Sequence, residues 1–152
     1  MSVLAAIRPD NISVALLVHV FGAMVLVGGL VTAAGGALVG WRDERGALRA
    51  FSYKTLLAAA FPGWIVMRIG AEWTYSREGF SGHDDPGWIG IGYATADGGG
   101  ILLLLALVIG GIGLWRARSG GGGGLLKASA VLATVLVAVY VVAVWAMGGK
   151  PG

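Results

Sequence analysis

The sequence predicts an all-α fold, namely a polytopic membrane four-helix bundle with both chain termini outside. Of the 152 residues, 57% are hydrophobic and only 12% are charged, and the mean hydropathy is +0.80. A soluble domain of this length needs more polar surface, and a disordered chain is less apolar. The chain has no cysteine, which excludes disulfide scaffolds and thiolate metal sites. We therefore expect a single transmembrane domain, residues 1–152, surrounded by the lipid bilayer.

The first predicted span covers residues 12–39, where His19 is the only readily ionisable residue. At about 1.5 Å per residue, a helix of this length exceeds the hydrocarbon core of about 30 Å. Arg8 is the only cationic side chain before it, and the apolar stretch is too long for a signal peptide. We expect a tilted spanning helix rather than a cleaved leader.

The second predicted span, residues 51–75, contains Lys54, Arg68 and Glu72. Lys54 lies near one end, where its long side chain can reach the interface. Pro62 lies near the middle, and a proline there removes a backbone hydrogen bond. The sequence therefore predicts a bend or short break in this helix.

The third and fourth predicted spans cover residues 86–116 and 125–147. Asp85 followed by Pro86 is typical of a helix cap and first turn, and this start places Asp97 inside the third helix. In the alternative, the helix begins near Asp97 and that carboxylate is the cap. The run Gly120–Gly124 predicts a flexible connection, because the Gly-Lys-Ser/Thr ending of a phosphate loop is absent.

Lysine and arginine residues divide unequally between the two ends of the predicted helices. Four lie at the end that holds the termini and the loop 76–85: Arg8, Arg68, Arg77 and Lys150. Seven lie at the other end: Arg42, Arg45, Arg49, Lys54, Arg116, Arg118 and Lys127. The positive-inside rule then predicts a multi-pass protein of the cell inner membrane with both termini outside. This asymmetry explains the pI of about 9.6 without a nucleic-acid partner.

Small residues form stripes on two of the predicted spans. The stripe on the first span comprises Ala15, Gly22, Gly29, Ala33, Gly36 and Gly40, and that on the third comprises Gly92, Ala96, Gly100, Ala106 and Gly110. Helices associate in lipid through close backbone contact, which small residues permit. We expect these two spans to pack centrally, although the stripes equally suit a homo-oligomer or a larger membrane complex.

Ionisable side chains inside a membrane are costly and normally face a bundle interior or water. If the third helix begins at Pro86, then His19, Arg68, Glu72 and Asp97 all lie in the outer half of the bilayer. They predict one outward-facing ion or ligand pocket. In the alternative interpretation, Arg68 and Glu72, spaced i,i+4, only anchor the second helix near the interface.

His19 is the candidate cofactor ligand, and the cofactor itself is unknown. The sequence allows a bond to a neighbouring backbone or hydroxyl group, a haem or transition-metal ligand, or a proton relay. For copper(I), Met24 is five residues away and is expected to point elsewhere. In the loop, His83, Asp84 and Asp85 are three adjacent potential metal ligands, although an ordinary turn before a helix cap is the commoner explanation of such a sequence.

One segment resembles a known family. Residues 17–23, LVHVFGA, continue to VGGL at 27–30, and this stretch resembles the first span of copper-resistance D-like proteins and related uncharacterised bacterial four-helix membrane proteins. The resemblance is confined to the first span. It implies a four-helix bundle and a function that involves a metal or haem bound near His19.

No nucleophilic triad, dinucleotide loop or hydrolytic carboxylate pair is present in the sequence, so we do not expect hydrolytic chemistry. We predict an integral membrane protein whose outward-facing intramembrane polar pocket handles an ion, a proton or a metal- or haem-type cofactor. The alternative is a noncatalytic accessory or assembly subunit of a larger membrane complex.

Overall fold

The computed structural model describes residues 10–43, 46–78 and 87–149, and these are almost entirely helical, with no strand among them. The all-α prediction is confirmed for this part of the chain. Its α-helices are α1, Asp10–Val39; α2, Ala47–Thr55; α3, Phe61–Glu78; α4, Gly87–Ala117; and α5, Gly123–Gly149. A 3₁₀ turn, Gly40–Arg42, follows α1, and a π-helical segment, Leu56–Ala60, joins α2 to α3.

Three helices in the described ranges are long and apolar enough to cross a membrane. They are Val14–Arg42, Gly87–Ala117 and Gly123–Gly149, which correspond to the first, third and fourth predicted spans. The second predicted span is found as α2, the π-helical segment and α3. It carries Lys54, Arg68 and Glu72 and is not among the three helices above.

The predicted disturbance near Pro62 takes the form of the π-helical segment just before it. The N–H of Phe61 donates to the carbonyl of Leu56, five residues earlier. Proline has no N–H, and its ring crowds the carbonyl four residues before it, here that of Ala58. A widened turn is a common way for a helix to accommodate this defect without ending.

The closest helix contact is the antiparallel crossing of α1 with α3 and the π-helical segment before it, where glycines on each side face the backbone of the other. The four pairs are Gly70 with His19, Gly22 with Met67, Gly63 with Leu26 and Gly29 with Ala60. A Cβ at Gly29 would lie 2.8 Å from the Ala60 nitrogen, closer than real Cβ contacts. The glycines are therefore required by the close approach of the two backbones.

The first and third spans both contribute buried residues to the central cluster, but their stripes of small residues pack on different helices. The glycine stripe of α1 packs mainly on α3, while α4 packs mainly on α5. The physical reason is a match of spacing, because Gly63 and Gly70 repeat every seven residues, as Gly22 and Gly29 do. Several glycines of α4 instead accommodate large side chains, such as Tyr140 beside Gly99 and Trp64 beside Gly100.

Buried leucines and two hydrogen bonds between helices hold the middle of the bundle together. Leu26, Leu30, Leu56, Leu103 and Leu136 are fully buried. The Ser52 hydroxyl donates to the Ala33 carbonyl at 2.6 Å, and the Ser129 hydroxyl donates to the Ala106 carbonyl at 2.8 Å. These bonds tie α2 to α1 and α5 to α4 in an environment where the helices gain little from apolar contact alone.

Arg49 of α2 caps the C-terminal end of α1. Its Nη1 donates to the carbonyls of Gly40 at 3.0 Å and Trp41 at 3.2 Å. Carbonyls at the end of a helix lack partners within the helix and carry partial negative charge. The buried guanidinium satisfies them and fixes α2 against α1.

The glycine contact predicts opposite effects for two substitutions in α1. Gly22→Leu should lower the stability of the purified protein by about 2 kcal/mol or more, because the side chain meets the Met67 backbone. Gly28→Leu is the matched control, since nothing lies within 4 Å of a Cβ there, and improved helix propensity should leave it equal to the wild type or more stable by up to ~1 kcal/mol. Thermal unfolding in detergent measures both, and equal losses would contradict the packing described.

Candidate functional site

A cavity of about 590 Å³ lies between α1, α3, α4 and α5. Its wall is mostly apolar, and the polar residues that line it are His19, Arg68, Tyr93, Thr95 and Tyr140. Space arises where the helices carry small residues, since Ala23, Ala71, Gly92 and Ala96 also line it. The backbones of α3 and α4 come close at few places, so this side of the bundle is less tightly packed than the α1–α3 crossing.

His19 is half-buried on the α1 wall of this cavity. Its Nδ1 lies 3.0 Å from the Met67 carbonyl oxygen, and the glycine at position 70 lets α3 approach closely enough for this contact. A carbonyl can only accept a hydrogen bond, so Nδ1 carries the hydrogen. In the neutral ring, Nε2 is then the nitrogen whose lone pair is available to a ligand.

Arg68 is held at the edge of the cavity by two carboxylates and an aromatic ring. Its Nη1 pairs with Oε1 of Glu72, its Nε lies 3.0 Å from Oδ1 of Asp97, and its guanidinium carbon lies 4.7 Å from the centre of the Tyr93 ring. Asp97 lies inside α4, because this helix begins at Gly87 and not near Asp97. The Arg68–Asp97 pair joins α3 to α4.

The structure brings the four predicted pocket residues together only in part. His19 and Arg68 line the same cavity. Glu72 and Asp97 are not among its lining residues, and their side chains are 53% and 56% exposed, against 25% for Arg68. The carboxylates thus bind Arg68 from the more open side, while the cavity itself is mainly apolar.

Neither Tyr140 nor Trp64 was predicted from the sequence to be a site residue. Tyr140 is 4% exposed, and its buried hydroxyl has no hydrogen-bond partner within the described residues. Trp64 donates from Nε1 to the Ala96 carbonyl at 3.0 Å, a second link between α3 and α4. The available signal for Tyr140 was its position as the only tyrosine of the fourth span.

Three methionines, Met24, Met67 and Met147, also line the cavity. Met24 was expected to point away from His19 because the two residues are five positions apart. Both residues nevertheless lie along the same wall, because the cavity extends over more than one turn of α1, from His19 to Val27. Soft thioether groups and one imidazole therefore share this space.

The loop candidates His83, Asp84 and Asp85 lie outside the described residues. Within residues 10–43, 46–78 and 87–149, no three histidine, cysteine, aspartate or glutamate side chains are grouped so as to hold a metal ion. His19 is the only histidine of these described ranges.

Comparison of the chain with protein-family models, with curated proteins and with solved structures finds no match in any of the three. The first-span resemblance to copper-resistance D-like proteins stays a prediction. Functional interpretation rests on the cavity and the residues that line it.

Proposed function

We propose that this chain is a four-span protein of the bacterial inner membrane that binds a haem-type cofactor in the cavity, with His19 as the iron ligand. The observation that carries the proposal is the position of His19. Its imidazole lines an apolar, ligand-sized cavity, and its Nδ1 is held by the Met67 carbonyl. In this proposal, α2, the π-helical segment and α3 form the remaining span, and the termini and the loop 76–85 lie outside.

The surface of the helices supports insertion in lipid. Large apolar side chains, including Leu17, Phe21, Val31 and Leu38 of α1, are more than half exposed in the isolated chain. The charge of Arg68 is compensated by Glu72 and Asp97, which lowers the cost of placing an arginine within a span. Lys54 is exposed near the far end of the same span, where it can reach the interface.

The size and polarity of the cavity favour a cofactor over a bare ion or proton. Ligand pockets commonly have volumes of about 300–1,000 Å³ and mainly apolar walls with a few polar groups, and the cavity of about 590 Å³ fits this description. An ion that leaves water needs several oxygen or nitrogen ligands in place of its hydration shell. The polar side chains on this wall are few.

The hydrogen bond of His19 is the kind that metal-bound histidines make. A histidine that binds a metal through one ring nitrogen usually donates its other N–H to a backbone carbonyl or carboxylate, which fixes the ring and raises its basicity. A haem supplies four nitrogen ligands of its own, so the imidazole of His19 would be sufficient to hold it, and methionine, which also lines the cavity, is another known ligand of haem iron. When bound, the cofactor would supply one-electron redox chemistry or binding of a small diatomic ligand.

Substitutions at His19 separate cofactor binding from helix packing. Haem titrated into the purified wild-type protein should give a saturable Soret band. His19→Asn keeps an N–H donor near the Nδ1 position but provides no imidazole for iron, so it should fold and bind haem at least about tenfold more weakly, a loss of about 1.4 kcal/mol. His19→Ala should lose both the band and the bond to Met67.

His83→Ala is the matched control, because it removes the other histidine of the chain and should leave the spectrum unchanged. Wild-type protein that shows no spectral change with haem, or an Asn variant that equals the wild type, would contradict the proposal. Stoichiometric copurification with other membrane chains in the absence of haem would favour the accessory-subunit alternative.

Tyr140 should behave as a ligand-binding group rather than a stabilising one. A buried hydroxyl without a partner costs free energy, so Tyr140→Phe should stabilise the ligand-free protein by about 1 kcal/mol and weaken cofactor binding. Ser129→Ala is the comparison, since that hydroxyl has a partner and its loss should destabilise. Thermal unfolding and haem titration measure the two effects, and a destabilised Tyr140→Phe variant would contradict this role.

Single cysteines test the number of spans and their direction, because the chain has none of its own. In the four-span arrangement, Ser81→Cys should react with an impermeant maleimide from outside intact cells. Ala47→Cys and Ser119→Cys should react only after the membrane is opened. Labelling of Ala47→Cys and Ser81→Cys from the same side would show that residues 47–78 do not cross.

A further inference from the structure

A second cavity, of about 660 Å³, lies at the other end of the bundle. It is bounded by the first turns of α2, the end of α4, the glycine-rich connection and the start of α5. This end lies near the C-terminus of α1, away from His19. The cavity plays no part in the proposed cofactor site.

The charged residues that line this cavity within the described part of the chain are all cationic. Arg49, Lys54 and Arg118 line it, and no carboxylate is found among its described lining residues. Arg49 is only 8% exposed, and its Nε has no hydrogen-bond partner within the described residues. Its Nη1 is already used by the carbonyls at the end of α1. A buried cation is stabilised by a nearby anion, and no carboxylate of the described residues lines this cavity, so an anion bound here would stabilise the protein.

The backbone adds uncommitted donors to the same cavity. The connection turns back at Gly120 and Gly122, with φ of +81° and +82°, which favours glycine. The first helical bond of α5 runs from the Leu126 N–H to the Gly122 carbonyl. The N–H groups of the preceding residues at the start of α5 therefore have no acceptor within the helix, and the positive end of the helix dipole lies there.

We propose that this second cavity binds a phosphate group, supplied by an anionic phospholipid head group or by a soluble phosphate. Three cationic side chains and the start of α5 surround the space, and glycines without side chains allow close approach. The exposed indoles of Trp41, in the 3₁₀ turn after α1, and Trp115, near the end of α4, lie at this side of the bundle. Tryptophans of this kind are typical of the interfacial depth at which lipid phosphates lie.

The test compares two double variants of the full-length protein that remove the same charge from the same end. Lys54→Gln/Arg118→Gln changes two cations that line the cavity, both on exposed side chains, so the fold should be retained. Arg42→Gln/Arg116→Gln is the control, because these exposed cations do not line it. Thermal unfolding is followed while phosphatidylglycerol, phosphatidylcholine or inorganic phosphate is titrated at constant ionic strength, and native mass spectrometry counts retained lipid.

We expect saturable stabilisation of the wild type and the control variant, and at least about tenfold weaker binding by the cavity variant. A response to phosphatidylglycerol but not to inorganic phosphate identifies a lipid head group, and a response to both identifies a site open to soluble phosphate. The proposal is overturned if no phosphate compound binds the wild type, or if both double variants lose binding equally, since that result indicates diffuse charge attraction.

Discussion

The close backbone contact between α1 and α3 is the constraint on which the rest of the molecule depends. Helices in lipid gain no hydrophobic free energy by associating, so their contact relies on close packing and hydrogen bonds. Gly22 and Gly29 on α1 contact the backbone of Met67 and Ala60. The glycines of α3 contact the backbone of α1 in the same way. Because this register is fixed, the Met67 carbonyl lies within reach of His19. One set of glycines thus determines both the helix pairing and the orientation of the candidate ligand.

The cavity exists because α3 packs closely against α1 on one side but lies farther from α4 on the other. There the backbones of α3 and α4 meet at few places, and long side chains connect them: Arg68 reaches Asp97, and Trp64 reaches the Ala96 carbonyl. Side-chain links hold two helices at a distance, whereas glycine contacts bring them together. The ion pairs therefore have a structural role at the edge of the cavity, while its interior can remain apolar.

The sequence was sufficient for the helices, for the disturbance before Pro62 and for the similar depth of His19 and Arg68, because apolar runs, proline chemistry and helical rise determine these features locally. It was insufficient for the partner of the α1 stripe, since a row of small residues does not specify which helix packs on it. It also predicted a polar pocket from Arg68, Glu72 and Asp97. Those charges form ion pairs with one another. The cavity wall is instead formed mainly by apolar residues from four helices, and no local sequence motif predicts that they come together.

Buried leucines lie between the two cavities along the bundle. Leu30, Leu56, Leu103 and Leu136 are fully buried and belong to one continuous apolar cluster between the His19 end and the Arg49 end. Conduction of an ion would require a hydrated path through this cluster, where the described structure offers leucine side chains and satisfied backbone groups. Binding in either cavity requires no such path. No described residue lines both cavities, so substitutions in one proposed site leave the lining of the other intact.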